Sequence, residues 1–182
     1  MIFVVDTNVF SRTFKNVSLD VFDDIWEPWA KLMERGNLIS VDEVYLELEA
    51  YWGKKAREME WLKKHKDSFQ KLTNAEGIIV AEIFKNKKFR EGVKEASLRS
   101  GSPEADALLV AKAKVVGGIL VTAESDEKPN SEKIPNICVA FNVPYMGINE
   151  FYKMLKNIYK QKNQMAGVHI CYELGVPKAI DS

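Results

Sequence analysis

An aspartate closes the first apolar run of this chain. "FVVDTNVF", residues 3–10, moves from Phe3-Val4-Val5 straight into Asp6-Thr7-Asn8, so an interior-type strand ends in three polar side chains. Two readings fit. Such residues commonly make an Asx turn or cap the next segment. They also stand where an open parallel sheet places its functional crevice, outside the carboxyl ends of the strands.

Further acids recur in comparable settings. Glu47 lies beside the stripe of Val41, Val44, Leu48 and Tyr51 on a predicted helix, where an unpaired charge would be costly or would become protonated. A cation nearby, or a wet helix face, would relieve it. Glu43 has a local explanation, because Ser40-x-x-Glu43 matches a capping box. Asp106 shares a face with Leu109, Val110 and Ala113, yet it also sits with Glu104 in a first turn, where acids complement the helix dipole. Glu124 and Asp126 follow the apolar run ending at Thr122, and acidic loops are usually solvated. Taken together, two strand ends and two helix starts carry carboxylates toward one edge. Oxygen donors without histidine or thiolate suit Mg²⁺ or Mn²⁺ better than Zn²⁺. Such ions neutralise a phosphodiester and activate water.

The elements that must position these acids can be read from pattern. Residues 2–5 are apolar without alternation, as in a strand covered on both faces. A polar and aromatic stretch follows, then a helix over Val21–Arg35 ended by Gly36-Asn37, and a longer one from Ser40 to about Lys66. A helical block covers 74–99 with a break near Asn86. Ser102-Pro103-Glu104 supplies an N-cap, a first-turn proline and an acid for the next helix, which reaches Val116. Gly117-Gly118 turns the chain into the strand Ile119–Thr122. Residues 123–133 read as a loop, Ile134–Phe141 as a short helix, Val143–Met146 as an edge strand and Asn149 to about Lys162 as an amphipathic helix. The domain is thus expected over 1–162, with 163–182 an unassigned tail. Strand, helices and strand again imply an α/β protein with a parallel sheet.

Bulk properties agree with one folded domain. The 182 residues suffice for an ordinary core. Lys+Arg and Asp+Glu both total 26, so nucleic-acid attraction must be local. Cys138 and Cys171 lack ligand spacing, and with only His65 and His169 beside them a structural zinc site is not expected. No apolar stretch approaches a spanning helix and Met1 leads directly into the first strand. A reduced, cytoplasmic chain with no membrane association is expected.

"FVVDTNVF", "ISVDEVYLEL", "SPEADALLVAKAK" and "GGILVTAESDE" together resemble the four acidic motifs of the PIN-domain ribonucleases, in that family's order. The ending "KIPNICVAFNVPYMGINEF" is similar to a VapC-like branch, and the likeness covers about residues 2–156. Carried over by motif, Asp6 matches the first acid, Glu47 the helix glutamate before Leu48, and Asp106 the acid opening "DALLVAKA". Glu124 falls at the variable fourth acid, usually aspartate, so Asp126 stays beside it as a candidate. The resemblance implies a three-layer α/β/α PIN-like fold and Mg²⁺- or Mn²⁺-dependent hydrolysis of single-stranded RNA. It also implies silencing by a cognate antitoxin protein, and a homodimer is compatible with it. The competing reading is a non-catalytic PIN module that binds RNA or a protein partner.

Other features carry less. The lysines at 54–55, 63–66, 85–90 and 153–162 could rim an RNA path, but charged runs on helices are more often solvated faces. Trp26, Trp29, Trp52 and Trp61 read as core rather than base-stacking residues. No GxGxxG, Walker loop or GxSxG occurs. Asn8 stands where a haloacid-dehalogenase-like phosphatase would need a second aspartate.

Overall fold

In the computed structural model, residues 1–90, 105–124 and 133–173 are described, with side chains as far as 164. Strand β1 (Phe3–Val5) and strand β2 (Leu38–Val41) are buried at every position. Successive strand residues point to opposite faces, so unbroken burial means that both faces of the sheet centre are covered. β3 (Phe69–Gln70), β4 (Ile119–Thr122) and β5 (Tyr145–Gly147) complete a sheet of five strands in the order β3-β2-β1-β4-β5. All pairings are parallel, with Val5 beside Val121 and Phe3 beside Leu38.

Two helical groups flank this sheet. On one side α2 (Asp23–Glu34) packs against α8 (Ile148–Glu173), and α1 (Thr7–Asn16) against α3 (Asp42–Trp52). On the other, α6 (Ala105–Val116) lies between α5 (Asn74–Lys85) and α7 (Ile134–Ala140) and contacts β1, β2 and β4. The result is the three-layer α/β/α architecture with a central parallel sheet that a PIN-like fold requires. Among the described residues no helix is long and apolar enough to cross a membrane.

Several expected elements differ. The stretch after Asp6 is helical: Val9, Phe10, Thr13 and Phe14 form its buried stripe, at a spacing hidden by the polar residues between them. Ser40 does not begin a helix. It lies in β2, its hydroxyl donates to the Val5 carbonyl at 2.6 Å, and α3 starts from Val41 with no side-chain cap. The expected helix to Lys66 is also divided, because Gly53 adopts φ +79° before α4 (Arg57–Lys64). β3 is too short for a period-2 signal. α2 begins at Asp23 rather than Val21. The last helix runs to Glu173, so no element ends at 162. The start at Ser102-Pro103-Glu104 and the block beyond Arg90 lie outside the described residues.

Two features fix the frame beneath the site. A Cβ on Gly118 would meet the Ile2 carbonyl oxygen at 2.9 Å, so the turn into β4 uses glycine to approach β1 closely. Lys112 of α6 and Glu76 of α5, each only 2 % exposed, form an ion pair at 2.7 Å. Lys112 also donates to the Lys71 carbonyl at 3.1 Å, and Glu76 closes a capping box with Thr73. These bonds satisfy two buried charges that would otherwise be costly.

The tryptophans belong to the aromatic core. Phe14 stacks on Trp26 with centroids 5.0 Å apart, and Trp26 and Trp29 are nearly fully buried. Trp52 and Trp61 pack edge-on against Phe14.

Candidate active site

The sheet order reverses direction between β1 and β4: β1 leads outward to β2 and β3, and the chain then crosses back to β4. Ligand sites of open α/β sheets form at this switch point, beyond the carboxyl ends of the strands. Asp6 stands there. Its backbone N–H donates to the Val121 carbonyl at 3.1 Å, extending the β1–β4 ladder by one step.

The cap reading of Asp6-Thr7-Asn8 is realised at the strand end itself. Asp6 is the N-cap of α1, with its Oδ1 accepting from the Asn8 N–H at 3.3 Å. Its Oδ2 accepts from the Thr122 hydroxyl at 3.2 Å. The carboxyl group is 2 % exposed and its pKa is pushed up to about 7. Burial is the main cause, the repulsion of Glu124 and Glu47 adds to it, and the Asn8 and Thr122 bonds offset part. An ordinary cap would not be held so reluctant to ionise.

Glu124 follows the end of β4. Its backbone N–H donates to Thr122 Oγ1 at 3.2 Å, so one hydroxyl joins Glu124 to Asp6. Its Oε1 accepts from Lys133 at 2.7 Å, while Oε2 is buried without a hydrogen-bond partner among the described residues. Glu47 reaches toward the cluster from α3 and accepts from the Thr7 hydroxyl at 2.5 Å. Its carboxyl pKa is raised by burial and by Glu43, against the Thr7 bond. Asp106, on the first turn of α6, raises the pKa of Lys133, after Glu124, and that of the Cys138 thiol, which burial pushes up to about 12. Asp126 lies outside the described residues.

Glu43 requires a different account from the capping box. With Ser40 in β2, no box forms; Glu43 Oε2 is buried without a partner and its charge acts on Glu47. Sequence reasoning passed over Thr7 and Thr122, although a hydroxyl at the carboxyl end of a parallel strand, or directly after one, is the available signal for both. Lys133 was likewise absorbed into a polar loop.

The donor chemistry fits a hard divalent ion. All candidate donors are carboxylate oxygens, Glu124 Oε2 has no hydrogen-bond partner among the described residues, and Glu124 and Glu47 each repel Asp6. As placed, no group of three or more His, Cys, Asp or Glu among the described residues is gathered to hold a metal ion. A polar groove of about 340 Å³ adjoins the cluster, lined by Thr122, Glu124, Tyr145, Met146, Gly147 and Glu150.

Residues 3–159 match a protein family described as "Domain of unknown function (DUF4411)". The chain belongs to this family. The DUF4411 match starts at β1 and ends within α8, and so takes in Asp6, Glu47, Asp106, Glu124 and Lys133. Among solved structures, this DUF4411 chain is similar to one from the crystal structure of DNA-bound VapBC from Salmonella typhimurium. The identity is 18 %, the match covers 81 % of this chain and 98 % of that one, and the TM-score is 0.46. No curated protein matches.

Three lysines of the expected basic rim are engaged by acids. Lys156 pairs with Asp24 at 3.3 Å, Lys162 with Glu27, and Lys54 with Glu49 at 3.9 Å. Phe89 is buried, so the aromatic beside the 85–90 lysines faces the core.

Proposed function

We propose that this protein is a metal-dependent endoribonuclease of PIN type, hydrolysing phosphodiester bonds of single-stranded RNA with Mg²⁺ or Mn²⁺. One observation carries the reading: a buried aspartate at the β1/β4 switch point, repelled by two further carboxylates and held between a helix start and a strand-end hydroxyl. Such a cluster is expensive unless a cation is bound in use.

Asp6, Glu47, Asp106 and Glu124 are the residues that would hold the ion, with Asp126 as the further candidate. When bound, it would supply charge neutralisation at the phosphodiester and activation of water. The chain's own residues do the positioning. Thr122 fixes Asp6 Oδ2 and the Glu124 backbone together, and Thr7 fixes Glu47. The polar groove beside Glu124 offers room for an adjoining nucleotide. An antitoxin partner follows from the motif resemblance alone.

A second reading, a non-catalytic PIN module binding RNA or a protein partner, is favoured by the lack of a gathered group of three acids among the described residues. Incubating a labelled single-stranded RNA with the protein, with and without Mn²⁺, separates the two. Cleavage that requires Mn²⁺ and is lost in Asp6→Asn supports the nuclease; binding without cleavage supports the module.

A further inference from the structure

A cation already stands at the acidic cluster, and it belongs to the chain. The Lys133 ammonium donates to Glu124 Oε1 at 2.7 Å. The same ammonium feels Glu124 first, then Asp106 and Asp6, all of which favour its charged form. Glu124, Asp106 and Asp6 are also acids that would hold a metal ion. The lysine therefore pairs directly with Glu124 and feels the charges of Asp106 and Asp6 beyond it.

The attachment of Lys133 to the fold is made by its backbone. Its carbonyl accepts the Asn136 and Ile137 N–H groups at 3.0 and 3.2 Å, which starts α7, and Ile134, Ile137 and Cys138 anchor that helix in the core. The side chain itself is 64 % exposed, whereas Glu124 is only 12 % exposed. A flexible four-carbon stem carrying a compact ammonium can move between the cluster and solvent without disturbing the helix behind it.

We propose that Lys133 is a tethered counter-cation that occupies the acidic cluster in the metal-free protein and must withdraw from Glu124 before a divalent ion can bind there. The proposal rests on the metal-site reading above. It follows from charge and space: Glu124 Oε1 cannot serve the ammonium and a divalent ion together, and the two cations repel at short range. Metal affinity is then reduced by the fraction of molecules in which Lys133 occupies the cluster.

The test is Mn²⁺ binding, followed by the loss of the free-ion electron paramagnetic resonance signal, for the full chain and for Lys133→Met, Lys133→Arg and Glu124→Gln. Circular dichroism confirms folding of each. Lys133→Met should bind Mn²⁺ about tenfold more tightly than the unaltered protein if occupancy is near nine-tenths. Lys133→Arg, which keeps the charge, should stay close to the original affinity, and Lys133→Met should gain nothing once Glu124→Gln is present. Equal or weaker binding by Lys133→Met, with clear binding by the unaltered protein, overturns the tethered cation and leaves the metal site standing. If RNA affinity falls in Lys133→Met while Mn²⁺ affinity is unchanged, Lys133 is a phosphate contact and the proposal is wrong. Binding by neither protein overturns the metal-site reading and this proposal with it.

Discussion

Asp6 and Thr122 face each other across the β1–β4 pair, with the Thr122 hydroxyl donating to Asp6 Oδ2 at 3.2 Å. The same hydroxyl accepts the Glu124 N–H. A single oxygen thus ties the buried carboxylate at one strand end to the acid that follows the other, and it helps Asp6 to ionise against the opposing effect of burial. Thr122→Val keeps the shape and removes this bridge. The variant should lose about 1–2 kcal/mol of stability in urea unfolding at pH 8. At pH 5, where Asp6 is largely protonated and needs the donor less, the loss should be smaller. Equal loss at both pH values would mean that the hydroxyl does not act through Asp6.

Asp6 itself provides the pH signature. Its carboxyl pKa rises from 3.8 to about 7 on folding. Between those values the native state keeps a proton that the unfolded chain has released, so the metal-free protein loses stability as pH rises from about 4 to about 7. Asp6→Asn removes that loss. In metal-free buffer the variant should gain on the order of 2 kcal/mol at pH 8, with the gain fading below pH 4. Cleavage should be absent throughout. A variant less stable than the original at pH 8 would contradict the sign.

Millimolar Mn²⁺ should raise the melting temperature, because an ion bound only by the native state shifts folding by mass action. The rise should vanish in Asp6→Asn/Asp106→Asn. A rise that persists in the double variant would place the ion elsewhere on the protein.

The parts of this architecture that were legible in the sequence are those with unambiguous local physics. Phe3-Val4-Val5 and Leu120-Val121 are apolar on both faces, and Gly117-Gly118 separates helix from strand, so β1, α6 and β4 could be placed along with Asp6, Asp106 and Glu124. β2 was not legible. Leu38–Val41 runs directly into α3 without a turn, and Ser40 followed by Glu43 imitates a capping box although the Ser40 hydroxyl is spent on the Val5 carbonyl. α1 was hidden because polar residues separate the apolar positions of its buried stripe, although Asp6 had the character of a cap. The Lys133–Glu124 pair depends on how the chain returns to the sheet edge, which no spacing along the sequence records.

The frame makes a prediction independent of any activity. Lys112→Met leaves the Glu76 carboxylate buried beside α6 with its cationic partner gone, and should cost about 3–5 kcal/mol in urea unfolding. Pairing it with Glu76→Gln removes the stranded charge and keeps a side chain able to close the Thr73 capping box. The double variant should recover much of the loss. If it is no better than Lys112→Met, packing of the lysine stem rather than charge pairing dominates at this position.

Glu43 and Glu47 lie four residues apart on α3 and differ in their surroundings. Glu47 accepts the Thr7 hydroxyl next to Asp6, while Glu43 Oε2 is buried without a hydrogen-bond partner among the described residues. Without a capping box, Glu43→Gln should not be silent. It removes a negative charge that raises the Glu47 pKa, so Glu47 should ionise at lower pH and metal-free stability at pH 8 should rise. Glu47→Gln should instead lower cleavage and Mn²⁺-induced stabilisation together, because it removes a charged oxygen from the cluster. Thermal melts with and without Mn²⁺, beside cleavage rates, distinguish the pair. Loss of both signals in Glu43→Gln, with Glu47→Gln retaining them, would move the proposed metal-holding acid of α3 from Glu47 to Glu43.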